Sequence, residues 1–292
     1  MTPAPRGPLS VAVVAGGRSS EAEVSRTSAA HVAGALRTLG HRCTVLECDE
    51  ELWEALKAGG YDVAFLALHG RNGEDGVVQG VCELAGVPYT GSDVLASALA
   101  FNKAMAKRVL AAAGIDTPAW RVVGRNGRRE DSLQAMDDAA AELGLPLVVK
   151  PNRSGSTIGL AIVGEPSGLE AAFDAAAWHD DVLCERFVTG MEVTVGIVGH
   201  NPPRALPTLE IISHRPLYDY AAKYTVGASE HIIPARLPGE QNAAASDVAL
   251  RAHDALGCRA ISRVDVIVDA AGVPWVLEVN TIPGLTEISL LP

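Results

Sequence analysis

Ile261-Ser262-Arg263-Val264-Asp265-Val266-Ile267-Val268-Asp269, a short turn, then Val276-Leu277-Glu278-Val279-Asn280-Thr281 is the stretch on which the reading of this chain turns. Each half alternates β-branched with polar residues, and Ala271-Gly272 between them is a hairpin signal. With a period of two, Arg263 and Asp265 share one face of the first strand, and Glu278 and Asn280 share one face of the second. Paired in that register, the strands bring one guanidinium and three oxygen donors to one spot. Hard oxygen donors without His or Cys suit Mg²⁺, with phosphate oxygens completing its shell. The plain structural alternative is a solvated edge hairpin.

Working outward, the 292 residues suffice for two or three small domains. An apolar share of 48% with only 4% aromatics fits an α/β enzyme better than a β-sandwich. The formal charge of −11 argues against a general nucleic-acid or membrane-surface binder, so a polyanion has to be met by a local cluster of Lys and Arg. The five Cys are scattered, with no Cys-x-x-Cys pair, which indicates neither a zinc site nor a disulfide framework. No signal-peptide pattern and no membrane-length apolar run is present, so a cytoplasmic protein is expected.

Leu9–Ala15 reads as a buried parallel strand, Glu21–Leu39 as a helix, Arg42–Cys48 and Val63–Leu68 as further strands. This βαβαβ opening lacks Gly-x-Gly-x-x-Gly, which removes support for a dinucleotide fold. Past the third strand lies His69-Gly-Arg-Asn-Gly-Glu74-Asp75-Gly76, at the strand end where open parallel sheets place ligands. A helix is expected over Ala96–Gly114, carrying Lys103 and Lys107, then a strand over Thr117–Val123 and a helix over Asp131–Leu143. Leu145–Pro151 is a strand that delivers Lys150, followed by the Gly/Ser loop Arg153-Ser-Gly-Ser156-Thr-Ile-Gly159. Helices over Leu169–Ala177 and Gln241–Leu256 flank a strand-rich stretch. The only border signals are loops near 92–97 and 186–190, giving domains 1–96, 97–186 and 187–292.

Singly, each feature is bland. Lys150 could be a surface lysine and 153–159 a flexible connection. Together, lysines 103, 150 and 223, a glycine-rich loop and the Asp265, Glu278, Asn280 set form a coherent polyphosphate site. Without Gly-x-x-x-x-Gly-Lys-Ser/Thr, it is not a P-loop.

Gly16-Gly17-Arg-Ser-Ser-Glu21, Leu68-His69-Gly70 through Gly76, Pro88-Tyr-Thr-Gly-Ser92, Val149-Lys150-Pro, Gly155-Ser156, Tyr218-Asp219-Tyr220…Lys223-Tyr224, Arg263-Val-Asp265 and Glu278-Val-Asn280-Thr-Ile-Pro-Gly284 occur in order from residue 11 to 292. This combination resembles the D-alanine–D-alanine ligases of the ATP-grasp superfamily. The resemblance implies a three-domain ATP-grasp α/β fold whose N-terminal domain is an open parallel βαβ unit. It implies ATP between the central and C-terminal domains, with Glu185, Phe187 and Val188 along adenine and Glu192 at the ribose. Lys103, Lys150 and Lys223 would meet phosphates, and Asp265, Glu278 and Asn280 would hold two Mg²⁺, with Mn²⁺ as a substitute. Glu21 would anchor the first D-alanine's ammonium with help from His69. Arg263 and the Gly284 N–H would stabilise the oxyanion, while Ser289 and Leu290 receive the second D-alanine's carboxylate. Glu21, Ser156 and Tyr224 match a hydrogen-bonded set that closes a loop over the site. Tyr at 224 favours an amine over a hydroxyl acceptor, so D-lactate is disfavoured. A homodimer and a role in peptidoglycan precursor synthesis follow by the same resemblance.

The alternative is a related ATP-grasp carboxylate–amine ligase with another acceptor, serving a natural-product or antibiotic-resistance pathway. His69 could instead only orient its loop, Tyr218 and Tyr220 could brace theirs, and Glu74 and Asp75 could cap a helix. The sequence departs from the family at Ser154, where an acidic residue is usual, and at Ala22, where Arg is usual. The family also continues past the Ser-Leu-x-Pro turn into a terminal helix, whose absence would expose apolar surface beside Ser289 and Leu290.

Overall fold

The structure, a computed structural model, describes residues 7–155, 157–213, 229–287 and 289–291. Its chain order begins β1 (Ser10–Ala15), α1 (Ala22–Thr38), β2 (Arg42–Glu47), α2 (Leu52–Ala58), β3 (Val63–Leu66), α3 (Val77–Ala85) and α4 (Val94–Phe101). These three strands form a parallel sheet in the order β2-β1-β3. The period of two sorts β1 between two cores. Ala12 and Val14 pack with Leu52, Leu56, Leu66, Val78 and Cys82, while Val11, Val13 and Ala15 pack with Ala29, Val32 and Ala33 of α1. A central strand covered on both faces needs a continuous apolar run, which Val11–Ala15 supplies.

The single helix expected over 96–114 is two. After α4 comes α5 (Lys103–Ala112), with Asn102 between them in an extended conformation. Asn102 Oδ1 accepts from the Met105 N–H at 3.1 Å, so this residue starts a new helix as its N-cap.

From there run β4 (Trp120–Val123), α6 (Arg129–Leu143), β5 (Leu147–Pro151), β6 (Ala161–Val163), α7 (Leu169–Ala177) and β7 (Val182–Arg186). The four strands form an antiparallel sheet in the order β4-β7-β5-β6. Met136, Ala139 and Leu143 of α6 and Leu169, Phe173 and Ala176 of α7 cover it with Leu147, Val149, Val182 and Cys184. Next come β8 (Gly190–Gly199), β9 (Arg204–Ala205), β10 (Leu209–Ser213), β11 (Ser229–Ile232), α8 (Gly239–Ala255), β12 (Ala260–Asp269) and β13 (Pro274–Asn280). They build a second sheet, β11-β10-β8-β12-β13, with β9 on β8. The α8 helix buries Ala245, Val248, Ala249, Ala252 and His253, the spacing of one helical face. The two strands of the opening hairpin are therefore hydrogen-bonded neighbours, and a connection this short leaves only an antiparallel arrangement.

The chain divides into two compact units. The first holds the residues through Ala98 together with Gly257–Arg263 and the segment from Asn280 onward; the second holds Leu99–Leu256 and Val264–Val279. Cys82, Cys184 and Cys258 are buried and Cys43 and Cys48 half-buried, all as free thiols. Burial pushes Cys82 and Cys184 up to about 12, so both stay protonated near neutrality.

Candidate active site

In the second unit, ammonium and carboxylate groups gather between the two sheets. Lys150, on β5, is buried and ion-paired with Glu185 of β7, its neighbour in the same sheet. Burial works against its charge, but the carboxylates of Glu185, Glu278 and Asp265 outweigh it and hold Lys150 above the ordinary lysine value. Asp265 accepts from the Thr194 hydroxyl at 2.6 Å, which fixes it against β8. Lys103, the first residue of α5, donates to the Ser154 carbonyl at 2.7 Å and lies 3.3 Å from Glu278 Oε2. One ammonium thus spans the Gly/Ser loop and β13.

Glu185 is enclosed. Its Oε1 lies 2.6 Å from the ammonium of Lys107 and its Oε2 against that of Lys150. Burial alone would raise its carboxyl, yet the two cations hold it below the ordinary range, so it is ionised. Lys107 moves the other way from Lys150. Burial dominates there and, with the like charge of Lys150, outweighs the pull of Glu185 and Glu278, whereas Lys150 feels Asp265 as well. The Glu185 carboxylate, expected along adenine, is therefore already occupied by two lysines. Phe187, Val188 and Glu192 are half-buried, the first two in the connection from β7 to β8 and the third on β8.

The arrangement of α5 against β5 comes from two asparagines. Lys103 N donates to the Asn152 carbonyl at 3.2 Å and Ala104 N to Asn152 Oδ1 at 2.9 Å. Asn152 Nδ2 donates to Asn102 Oδ1 at 3.0 Å. The first N–H groups of a helix have no intrahelical partner, and the carbonyl and side chain of Asn152 supply acceptors for two of them. Both phosphate-facing candidates, Lys103 and Lys150, are thereby held in one frame.

In the first unit, Glu21 is buried at the start of α1. Ser19 Oγ accepts from Glu21 N at 3.2 Å and donates to the His69 carbonyl at 2.7 Å, tying the turn after β1 to the loop after β3. His69 is buried too, with Nε2 3.3 Å from Ser28 Oγ and a hydrogen bond to the Ile282 backbone. Burial, helped by the charge of Arg263, lowers it to about 4 against the pull of the Ile282 bond, so the imidazole is neutral at pH 7. Ser28 Oγ also accepts from Leu285 N at 3.4 Å. In the closing segment, Thr286 N and Thr286 Oγ1 meet Ser289 Oγ at 3.0 and 2.8 Å. A Cβ on Gly284 would lie 2.7 Å from that same hydroxyl, so any other residue there has to displace Ser289 Oγ. Leu290 is half-buried, and Arg263 and Asn280 are half-buried ends of this unit's strand segments. Ser156, Lys223 and Tyr224 lie outside the described residues.

Glu74 and Asp75 act as loop supports. Glu74 accepts from Gly70 N at 2.7 Å, and Asp75 from Asn72 N at 2.9 Å and Val77 N at 3.2 Å. Three polar residues with defined contacts, Lys107, Asn152 and Thr194, were given no role by sequence. Only Lys107 carries a local signal, one helical turn after Lys103.

An antiparallel sheet carrying one lysine, a second sheet carrying acidic residues, and a parallel βαβ unit beside them in sequence define the ATP-grasp class of enzymes. The chain belongs to the D-alanine–D-alanine ligase family: the model of the D-ala D-ala ligase C-terminus matches residues 109–292 and that of the N-terminus residues 50–92. A D-alanine–D-alanine ligase of Pelotomaculum thermopropionicum is 46% identical, over 97% of this chain and 90% of that protein. The ATP complex of the Bacillus anthracis D-alanine–D-alanine ligase superposes with a TM-score of 0.81 at 32% identity, covering 97% of this chain and 90% of that one. The D-Ala:D-Ser ligase of Enterococcus faecalis gives 0.82 at 32%, covering 98% and 93%. Among the described residues no helix is long and apolar enough to cross a membrane.

Proposed function

We propose that this chain is an ATP-dependent D-alanine–D-alanine ligase of peptidoglycan precursor synthesis. The observation that carries the reading is the pair of lysines, 103 and 150, set against the carboxylates of Glu278 and Asp265. In this reading the carboxylate of one D-alanine attacks the γ-phosphorus of ATP, giving an acyl phosphate and ADP. The amine of a second D-alanine then adds to the acyl carbon, and the tetrahedral intermediate expels phosphate. Lys103, Lys150 and Lys223 bind the phosphates, and Glu185, Phe187, Val188 and Glu192 belong to the nucleoside end. Glu21 receives the first ammonium, with His69 as a neutral brace. Arg263 and the Gly284 N–H stabilise the oxyanion, a contribution of roughly 3–4 kcal/mol per donor in comparable sites. Ser289 and Leu290 receive the second carboxylate, and Ser156 and Tyr224 with Glu21 close the site.

Among the described residues no three His, Cys, Asp or Glu side chains form a metal cluster, but Mg²⁺ does not require one. Two carboxylates within electrostatic reach of one buried ammonium, plus an amide oxygen, are a fitting hard-oxygen set. Asp265, Glu278 and Asn280 would hold two Mg²⁺, or Mn²⁺ in their place, which neutralise charge on the transferring phosphoryl group. The three-domain division at 96/97 and 186/187, a homodimer and a cytoplasmic location belong to the same reading.

The test is phosphate release with D-alanine alone, then with D-alanine plus D-serine, D-lactate or L-alanine. Turnover with D-alanine alone, matched by D-alanyl-D-alanine on chromatography, is the expected result. Turnover only when D-serine is added would move the chain to the alternative acceptor class.

A further inference from the structure

Lys107 is a buried lysine that the proposed reaction does not use. It is 1% exposed, and burying an ammonium is costly unless every donor is met. Lys107 is met by protein groups: its ammonium donates to Thr117 Oγ1 at 2.6 Å and to the Pro118 carbonyl at 3.2 Å, and is ion-paired with Glu185 Oε1 at 2.6 Å. The ring of Trp120 stands 5.7 Å away on the same cation. Lys107 is thus buried and engaged by protein groups, including the ion pair to Glu185. Lys150 is the opposite case. Among the described residues Glu185 is its one ion-pair partner, which leaves donors to spare on an ammonium only 8% exposed. An apolar side chain at 107 would fill the same space at less desolvation cost, so its charge has to serve something other than packing.

We propose that Lys107 is a positioning residue for nucleotide binding: it clamps one oxygen of Glu185 so that the other fixes the Lys150 ammonium, whose remaining donors meet a nucleotide phosphate. The clamp is rigid at its base, because Thr117 and Pro118 lie on the segment that enters β4, and β4 pairs with β7 across from Glu185. Without Lys107, the Glu185 carboxylate is left with a single cation and can turn toward it. Lys150 then becomes a partner for Glu185 rather than for phosphate. This rests on the ligase reading, and the experiment separates the two.

Titration calorimetry with ATP, and with adenosine, which carries no phosphate, tests it on the full chain. Failure of the unaltered protein to bind ATP would remove the ligase reading itself. If it binds, Lys107→Met is expected to weaken ATP roughly 10- to 100-fold, the range for losing a charge-assisted contact, while adenosine changes by less than about twofold. Lys107→Arg, which restores a charged donor to Glu185, is expected to recover most of the affinity. Steady-state kinetics should place the effect in the KM for ATP, with the KM for D-alanine unmoved. Because Lys107→Met leaves a buried carboxylate short of a partner, the double variant Lys107→Met/Glu185→Leu removes both charges and keeps the core apolar. It too is expected to bind ATP weakly. A folded single or double variant that binds ATP within about twofold of the parent overturns the proposal, as does an equal loss of adenosine by Lys107→Met, which leaves Glu185 in place. Failure of both variants to fold would make Lys107 a stability residue and overturn it as well.

Discussion

The Lys103 ammonium lies 3.3 Å from Glu278 Oε2 while donating to the Ser154 carbonyl at 2.7 Å, which makes one side chain the joint of helix α5, strand β13 and the Gly/Ser loop. A phosphate entering here would compete with Glu278 for the ammonium, and a metal ion would compete with Lys103 for the carboxylate. The two residues should therefore act as a unit. Lys103→Met and Glu278→Gln are each expected to lower kcat/KM for ATP by roughly 10²- to 10³-fold, and the double variant by much less than the product. Steady-state kinetics on the four proteins decides it. Strict additivity would show that the pair does not work together.

Asn152 offers a second test of how Lys103 is held. Its backbone and side chain satisfy Lys103 N and Ala104 N, and its amide bonds Asn102, the α5 cap. Asn152→Ala should cost about 1 kcal/mol of stability, as for loss of a helix cap. It should also raise the KM for ATP several-fold, since Lys103 loses its register against Lys150. Thermal melts and ATP kinetics on one preparation would check both. A lower Tm with an unchanged KM would confine Asn152 to stability.

His69 makes a prediction about pH. Its folded-state value of about 4 lies below the usual 6.5, because burial disfavours the imidazolium. Between those values the unfolded chain binds the proton and the folded protein does not. Its stability contribution is therefore complete above about pH 6.5 and is lost as pH falls toward 4, a change of roughly 3 kcal/mol. Urea unfolding from pH 7 to 4.5 should show this slope, and His69→Gln should flatten it. An unchanged slope in the variant would place the titration elsewhere.

Strand β1 was legible because a doubly covered parallel strand has to be an apolar run, and Val11–Ala15 is one. Helix Leu169–Ala177 appears with the expected limits, since its alanine-rich face repeats at helical spacing. The break at Asn102 was not legible. The apolar pattern runs on through it, and Asn102, held there by its bond from Asn152 fifty residues away, caps α5 with its own side chain. The enclosure of Glu185 was hidden for the same reason. Residue types announce that a lysine can bind phosphate, but which carboxylate occupies which lysine is settled only when β5, β7 and α5 pack. Helix capping, an alternative for Glu74 and Asp75, holds only for Asp75, which accepts from Val77 N at the start of α3, while Glu74 accepts from Gly70 N within the loop.

Gly70 gives the prediction most specific to the amino-acid end of the site. Its φ of +72° is one that L-residues avoid, and a Cβ there would lie 2.9 Å from Glu21 Oε2 and 3.3 Å from Ser19 Cβ. Both neighbours belong to the turn that presents Glu21, and Ser19 is already bonded to the His69 carbonyl. Relief of the contact has to come from the Glu21 carboxylate, the more movable group. Gly70→Ala should thus cost roughly 1–3 kcal/mol from the left-handed backbone. It should also raise the KM for D-alanine by displacing its ammonium partner, while the KM for ATP stays within about twofold. Glu21→Gln, which removes the charge without straining the loop, should reproduce the D-alanine effect with little loss of Tm. Should Gly70→Ala and Glu21→Gln leave the KM for D-alanine unchanged, Glu21 would not be the residue that receives the ammonium.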